Sequence, residues 1–490
     1  MSPWFRLCLF FVFVPAMSAR AEPPEATAKN AVSGGLLVVV PQAFQDGLQP
    51  FVEHRRRDLA VEVATLEAVL KSATGSDDPE KLKRFLYEAW HQRHVRYVLL
   101  VGDASVLPVR YMVLDRVTPA AFDYAFYPSD LYYADVAKAD GRFEDWNAAR
   151  EGFHAGYYGE VRGEKNKSDP INYDQVDYRP ELAVGRWPVN TSGELQTVIA
   201  KTIAAEKRLT GSLGKPRAAL LAVGGWVDSR GTMDRISSSL PGWTVEKRYD
   251  APGGATPTAV PPTEKELLRL LDDGVDLVIH GGHGTDGSWD RCLFRERLDR
   301  IHNAARLPVM VSAGCSTARF ATLPPYEAYL DVYGIEHQGS DHGEKFTEPP
   351  PPPSPYQKGR FNPPGLGKQL VVGGPNGAVA YFGCNTGSQP CGLTLVEGFA
   401  RAWGKDKDAR LGDCWVEAVR WYYQQERLAD LKPNADWYPP SIFFQGMKFM
   451  LYGDPSLRLL PRPAGERSRT SLGLEPVAPG DSDRTEIDRR

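Results

Sequence analysis

Short apolar runs, most of which end at glycines, recur along this chain, and they constrain its fold more than any other feature. Such runs are typical of strands buried on both faces of a parallel sheet. They are Leu36–Val40, Val95–Val101, Ala218–Val223, Val275–His280, Pro308–Ala313 and Ala378–Phe382. Helical patterns lie between several of them, for example one that starts at Asp78 and one over Glu264–Leu271. The alternation of strands and helices predicts an α/β fold with mostly parallel sheets.

The runs fall into two series, which predict two α/β subdomains over residues 36–210 and 211–460. In the first, Leu59, Val63, Leu66 and Leu70 share one helical face, so we expect a helix near Asp58–Leu70. The second is interrupted at 336–365 by a polar insert with five consecutive prolines, Pro349–Pro353, expected to be a solvated excursion. Residues 461–490 are charged and poor in hydrophobic residues, which predicts a disordered tail.

The N-terminus reads as a secretory signal peptide over residues 1–21. Arg6 precedes an apolar core over Leu7–Val14, and Ala19-Arg20-Ala21 matches a cleavage site. That core is too short to span a bilayer, and no later segment approaches 18 uninterrupted apolar residues. We therefore expect a secreted or periplasmic protein without a membrane span in the mature chain. The net charge of -4 gives no sign of nucleic-acid binding.

Removal of the signal peptide leaves an odd number of cysteines. In an oxidising compartment this predicts disulfides plus one free thiol. Cys384 and Cys391 are close enough in sequence to clip a short loop, whereas a pairing of Cys292 with Cys414 cannot be judged from the sequence. The remaining residue is Cys315.

His283 and Cys315 each follow one of the apolar runs, within the stretches His280-Gly-Gly-His283-Gly284 and Ala313-Gly314-Cys315. Catalytic groups collect beyond the carboxyl ends of parallel strands, so this pair is a candidate base and nucleophile. The N–H groups of Gly284 and Cys315 could form an oxyanion hole. The alternative from the residues alone is a buried cysteine at a strand end, with glycines that only make turns.

Other chemistries fit the sequence less well. His280 and His283 are separated by two glycines, which is no standard zinc pattern, and no Cys-x-x-Cys or His-Glu-x-x-His accompanies them. A serine esterase would need a Gly-x-Ser-x-Gly elbow, and none occurs. No phosphate-binding glycine motif follows a strand.

Two longer stretches resemble the catalytic pair of the gingipain-type cysteine peptidases. They are Ile279-His-Gly-Gly-His283-Gly-Thr-Asp-Gly-Ser-Trp289 and Pro308-Val-Met-Val-Ser-Ala-Gly-Cys315-Ser-Thr-Ala-Arg-Phe320. Four further stretches resemble the family in the same order: Leu99-Leu-Val-Gly-Asp103, Ser129–Asp135, Glu181–Arg186 and Leu451–Leu457. The resemblance covers most of residues 36–460. It implies a caspase-like three-layer α/β/α sandwich and the activity of a cysteine peptidase.

By matched position, the resemblance implies that His283 is the general base and acid and that Cys315 is the nucleophile. His280 falls where the family needs no histidine. Trp289 matches a tryptophan after the histidine loop and is expected to pack there, as a candidate for the wall of the specificity pocket. Two departures stand out. No carboxylate that would orient the histidine occurs over Leu221–Trp226, and the carboxylates available for a specificity pocket, Asp228 and Asp234, lie at shifted positions.

Clustered carboxylates near Asp135 suggest a calcium site, since Ca²⁺ prefers carboxylate and carbonyl oxygens. The candidate ligands are Asp135, Asp140 and Asp145, although their spacing misses the EF-hand pattern and a solvated acidic loop is the alternative. The residues themselves favour the solvated loop, and the resemblance to enzymes that bind calcium is what retains the calcium site as an expectation.

Together these observations predict an exported cysteine endopeptidase that cleaves protein or peptide substrates through a His/Cys dyad and an acyl-enzyme. It would need no cofactor for the chemistry, with structural calcium as a possible ligand. The alternative is a catalytically inactive gingipain-like module that binds peptides or cell-surface partners.

Overall fold

The computed structural model of the protein describes residues 34–113, 126–148, 156–159, 170–209, 214–225, 227–250, 260–339, 351–406, 408–432 and 438–460. The predicted signal peptide and the predicted C-terminal tail lie outside these residues.

Strands and helices alternate along the described chain. The strands are β1 (Gly35–Val40), β2 (Val61–Thr65), β3 (Val95–Val101), β4 (Tyr111–Val113), β5 (Phe126–Pro128), β6 (Ala183–Trp187), β7 (Arg217–Ala222), β8 (Thr244–Tyr249), β9 (Leu277–Gly281), β10 (Ser288–Trp289), β11 (Leu293–Phe294), β12 (Val309–Ser312), β13 (Tyr329–Leu330), β14 (Glu336–His337), β15 (Ala380–Cys384) and β16 (Phe449–Tyr452). The helices are α1 (Gln49–Arg55), α2 (Leu66–Ser72), α3 (Asp78–Arg93), α4 (Leu131–Ala134), α5 (Ser192–Leu209), α6 (Arg230–Ser238), α7 (Glu264–Asp272), α8 (Leu366–Val372), α9 (Gly392–Lys405), α10 (Leu411–Gln425) and α11 (Tyr438–Gln445).

The main sheet has ten strands in the order β2-β1-β3-β6-β16-β15-β12-β9-β7-β8. Neighbouring strands are parallel except at the junction of β15 and β16, which are antiparallel. The sheet therefore consists of two parallel halves that run in opposite directions and meet at β16. The predicted mostly parallel α/β architecture is confirmed.

The predicted strands are buried on both faces. Leu37 to Val40 of β1 and Val98 to Val101 of β3 are fully buried at consecutive positions, as expected for the inner strands of a parallel sheet. Helix α5 packs against α1 and α8, and α9 packs against α6 and α10. No helix of the described chain is long and apolar enough to cross a membrane.

The helix predicted near Asp58–Leu70 is wrong over its first half. Residues Val61–Thr65 form β2, which pairs with β1 in parallel at the edge of the sheet, and helix α2 begins only at Leu66. Val61, Val63 and Thr65 are β-branched and alternate along the strand, which favours a strand. Over so few residues the same apolar positions fit both the two-residue period of a strand and the 3.6-residue period of a helix. The pairing with β1 makes the segment a strand.

The proline-rich insert is not a solvated excursion where it is described. Pro352 and Ser354 form backbone hydrogen bonds with Val332 and Leu330 of the β13–β14 hairpin, and Pro353 pairs with Asp331. The side chain of Gln357, which is fully buried, bonds to both backbone groups of Leu330. Because proline carbonyls still accept hydrogen bonds, the segment can line the open edge of a short hairpin.

Candidate active site

The loops that carry His283 and Cys315 leave neighbouring strands at the same edge of the sheet. Strands β9 and β12 are parallel neighbours with His280 opposite Ser312. Gly284 and Gly314 then pack backbone against backbone, and a β-carbon on either one would lie 3.0 Å from the α-carbon of the other. Only glycine allows this approach, so the two loops come together at the residues adjacent to His283 and Cys315.

His283 is exposed, and its ring is oriented by a backbone carbonyl. Its Nε2 lies 2.9 Å from the carbonyl oxygen of Gly225, in the loop after β7. Since a carbonyl can only accept, Nε2 must carry the proton, and the neutral ring then has its lone pair on Nδ1. The loop in which the sequence has no carboxylate thus contributes a backbone carbonyl that orients the ring.

A carboxylate that the sequence reasoning missed supports this loop from the end of strand β8. Asp250 donates its backbone N–H to Ala222, and its side chain accepts the N–H of Gly224. Its Oδ2 lies 2.7 Å from Nη2 of Arg291, and this bond lowers the pKa of Asp250, which keeps it charged. The signal available in the sequence was an aspartate directly after a short strand.

The turn Gly314–Ser316 carries the candidate nucleophile Cys315, and we call it the nucleophile turn. It is contacted by the loop Asn385–Pro390, which follows β15. Cys315 is half-buried, and its Sγ lies 3.3 Å from the backbone nitrogen of Ser388, which donates to it. Ser316 has a φ of 56°, a left-handed conformation, and its N–H bonds to the carbonyl of Thr386 at 2.7 Å. Such a turn after a strand projects the preceding side chain out of the sheet edge.

The amides predicted for the oxyanion hole are both available. Among the described residues, the N–H groups of Gly284 and Cys315 have no hydrogen-bond acceptor, whereas those of Gly314 and Ser316 are bonded. Both free amides belong to the two loops joined by the glycine contact.

Beneath these loops lies a buried aromatic layer. His280 is fully buried, stacks on Trp289 with ring centroids 4.9 Å apart, and its Nδ1 lies 2.9 Å from Ser312 Oγ. Burial, with a smaller effect of His283, lowers the pKa of His280 to about 3, so its ring is neutral. Trp289 is fully buried and donates its indole N–H to Tyr381. Both residues support the loops from the core.

The structure places Asp228 and Asp234 in surface ion pairs. Asp228 bonds to the guanidinium and backbone N–H of Arg230, and its side chain is 60% exposed. Asp234 bonds to Lys247 Nζ at 2.7 Å and to the hydroxyl of Tyr249. Hydrogen bonds from Arg230 and from Lys247 lower the pKa of Asp228 and of Asp234, respectively.

The expected disulfides are wrong, because all five cysteines among the described residues are free. Cys384 donates to the carbonyl of Thr386, whereas Cys391 accepts from the hydroxyl of Tyr422, so the two thiols face different partners. Burial raises the pKa of Cys292 and Cys384 to about 12 and that of Cys391 to about 11, and raises that of Cys414 well above its usual value. These four buried thiols are protonated and unreactive at neutral pH.

An acidic cluster lies away from these loops. Carboxylate oxygens of Asp135, Glu144 and Asp177 lie within 4.8 Å of one another, and burial raises the pKa of all three. Both oxygens of Asp135 are buried without a hydrogen-bond partner. Of the predicted ligands the cluster contains Asp135 only: Asp140 is exposed and bonds to Arg142, and Asp145 accepts from Asn147.

Comparisons with known proteins show the family of the chain. The family model of peptidase family C25 matches residues 30–460. Gingipain R2 of Porphyromonas gingivalis (strain ATCC BAA-308 / W83) is 23% identical over 324 residues, which are 63% of this chain and 35% of that protein. Gingipain R1 of Porphyromonas gingivalis is 23% identical over 59% of this chain and 24% of its own length. The chain thus spans about a third or less of these relatives.

Solved structures share the fold. The crystal structure of the Arg specific cysteine proteinase gingipain R superposes with a TM-score of 0.54 at 17% identity, over 87% of this chain and 78% of that one. A complex of Porphyromonas gingivalis RgpB pro- and mature domains gives 0.52 at 16% identity, over 87% and 79%. The predicted caspase-like α/β fold is confirmed. The family match extends over most of the sequence, and the chain therefore belongs to peptidase family C25, the gingipain-type cysteine peptidases.

Proposed function

We propose that the protein is an exported cysteine endopeptidase in which His283 and Cys315 form the catalytic dyad. The observation that carries the proposal is the contact between Gly284 and Gly314, which joins the histidine loop to the nucleophile turn. The bond from His283 Nε2 to Gly225 supports it, because it fixes the tautomer in which Nδ1 is the basic nitrogen of the ring.

In the proposed mechanism, Nδ1 of His283 takes the proton from the Cys315 thiol, and the thiolate attacks the carbonyl carbon of the scissile bond. The N–H groups of Gly284 and Cys315 stabilise the oxyanion. Collapse breaks the C–N bond, and the imidazolium returns its proton to the leaving amine. A water molecule, deprotonated by His283, then hydrolyses the thioester and releases the acid. No cofactor takes part in these steps.

The dyad predicts that peptide bonds are cleaved. The substrate side chain preferred beside the scissile bond depends on other residues. Asp228 and Asp234 are both neutralised by neighbouring cations, which supports a structural role around α6 rather than recognition of an arginine side chain. We infer that this chain does not share the arginine preference named for gingipain R.

We further propose export through residues 1–21, on the evidence of Arg6, the apolar core Leu7–Val14 and the site Ala19-Arg20-Ala21. The intact mass of the protein recovered outside the cytoplasm tests this: the expected chain begins at Glu22. A chain that retains Met1 would contradict it.

We also propose a structural calcium at the acidic cluster, held by Asp135, Glu144 and Asp177. The two unpartnered buried oxygens of Asp135 support this fit, since buried carboxylates are otherwise paired or bonded. Calcium would neutralise the repulsion among the three groups and brace the chain between α4 and β6.

The dyad is tested by brief alkylation of the folded protein with iodoacetamide, followed by mass spectrometry of each cysteine. We expect fast labelling of Cys315 alone, slowed at least tenfold in His283→Ala and absent in Cys315→Ala, with parallel losses in cleavage of a quenched casein substrate. The four buried cysteines serve as internal controls. Slow labelling that is indifferent to His283 would refute the dyad and favour an inactive peptide-binding module.

A further inference from the structure

The loop Asn385–Pro390 forms hydrogen bonds with two consecutive residues of the nucleophile turn, Cys315 and Ser316. The carbonyl of Thr386 accepts the N–H of Ser316, and the N–H of Ser388 donates to Cys315 Sγ at 3.3 Å. A hydrogen bond donated to a thiolate stabilises its charged form, whereas the Ser388 carbonyl, 3.8 Å from Sγ, accepts from the neutral thiol. The position of this one amide thus bears directly on the nucleophile.

A buried glutamine holds the loop in that position from the opposite side. Gln445 is fully buried at the C-terminal end of α11. Its Nε2 lies 3.2 Å from Ser388 Oγ, and its Oε1 lies 3.3 Å from the backbone nitrogen of Gln389. One side-chain amide therefore ties both Ser388 and its neighbour, while Lys448 Nζ bonds to the carbonyl of Gly387 at 3.0 Å. The peptide that donates to Cys315 is fixed on each side.

We propose that Gln445 is a positioning residue for the nucleophile: it holds the Ser388 N–H against Cys315 and so stabilises the thiolate. Gln445 touches neither the substrate nor the reacting atoms and acts only through the Ser388 peptide. The inference rests on the proposed role of Cys315. A buried amide is suited to this task because it can donate to one residue and accept from the next without adding a charge beside the thiolate.

The test is the pH dependence of Cys315 alkylation in Gln445→Met, which keeps the volume and removes both polar atoms. The midpoint of the rate profile should rise by about one pH unit, so that labelling below the midpoint is about tenfold slower. The rates should converge at high pH, where the thiol is ionised in both proteins.

The matched control is Gln357→Met, the same substitution at a buried glutamine that also bonds to backbone groups but lies in the insert. It should lower the melting temperature and leave the Cys315 midpoint unchanged. If Gln445→Met likewise lowers only the melting temperature, Gln445 is structural and the proposal is wrong. That failure differs from failure of the dyad, in which wild-type Cys315 itself labels slowly and without dependence on His283.

If Gln445→Met does not melt cooperatively, Ser388→Ala decides the question. It removes the oxygen that accepts from Gln445 and keeps the backbone N–H. The midpoint should rise by a smaller amount, because the bond from Gln389 to Gln445 remains. An unchanged midpoint in this folded variant would overturn the proposal.

Discussion

Asp250 and Arg291 form an ion pair, with Oδ2 and Nη2 2.7 Å apart, at the loop whose Gly225 carbonyl orients His283. The Asp250 carboxylate also accepts the N–H of Gly224. Gly224 directly precedes Gly225, whose carbonyl bonds to His283. In this chain an acidic residue supports, through the backbone, the carbonyl that bonds to the histidine. The bond to that carbonyl gives the histidine a defined tautomer.

We expect Asp250→Ala to lower kcat roughly tenfold to a hundredfold, because the Gly224–Gly225 loop loses its anchor and a small displacement of a catalytic group is costly. Asp290→Ala is the matched control, since Asp290 lies 3.7 Å from Arg291 and is half exposed. Steady-state cleavage of a quenched casein substrate measures both. Equal losses in the two variants would show that only the charge near Arg291 matters.

His280 should make the fold sensitive to acid. Its pKa is about 3 in the folded protein, against about 6.5 in an unfolded chain, so between these values the unfolded state binds more protons. This contribution is complete above pH 6.5 and is lost as the pH falls toward 3. At pH 5 the free energy of unfolding should be lower by about 2 kcal/mol from this residue alone.

Urea denaturation at pH 7 and pH 5 measures this effect. His280→Gln, which can still bond to Ser312, should lose less stability than the wild type on acidification. The exposed His302→Gln should follow the wild-type profile. Parallel profiles for His280→Gln and the wild type would contradict the prediction.

Calcium should raise the melting temperature of the wild type by roughly 3 °C at saturating concentration, because the ion binds only the folded cluster. Asp135→Asn should abolish this response and raise the melting temperature in EDTA, since a buried, repelled carboxylate is removed. Asp140→Asn, at an exposed position, should keep the response. Differential scanning calorimetry with and without EDTA separates these outcomes, and a retained response in Asp135→Asn would exclude the site.

Lys201→Met should destabilise the protein by roughly 1–3 kcal/mol, because buried carbonyls lose their donor. Nζ of Lys201 lies 2.8 Å from the carbonyls of Leu370 and Asn376 and 3.0 Å from that of Val371, at the end of α8. Urea denaturation measures the loss, with the exposed Lys265→Met as the control. Similar stabilities of the two variants would show that water replaces the ammonium.

The sequence predicted the parts of the fold that local patterns determine. Runs such as Val95–Val101 are long and uniformly apolar, so their strand state does not depend on which neighbour they pair with. The apolar residues of Val61–Thr65 fit the period of a helix as well as that of a strand, and only the pairing with β1 makes the segment a strand. Long-range pairing of this kind leaves no signal in a local window.

The candidate site also has residues that the sequence predicted and residues that it could not predict. His283 and Cys315 stand out because glycines at strand ends mark them, and their neighbours Gly284 and Gly314 do make the contact. The partner of His283 could not be predicted, since it is a backbone carbonyl and any residue type has one. Glu144 lies in the same acidic stretch as Asp135, whereas Asp177 was missed because the fold brings it there from more than forty residues away.

Strand β16 comes last in the described chain but lies in the middle of the sheet and not at an edge. It pairs with β6 of its own half and with β15 of the other, and so joins the two halves. Without residues Phe449–Tyr452, both β15 and β6 would have one unpaired flank. The helix that carries Gln445 directly precedes this strand, so the nucleophile turn acquires its support only when the sheet closes. A chain that ends after Cys315 contains both His283 and Cys315 but lacks Gln445 and the strand that joins the two halves of the sheet.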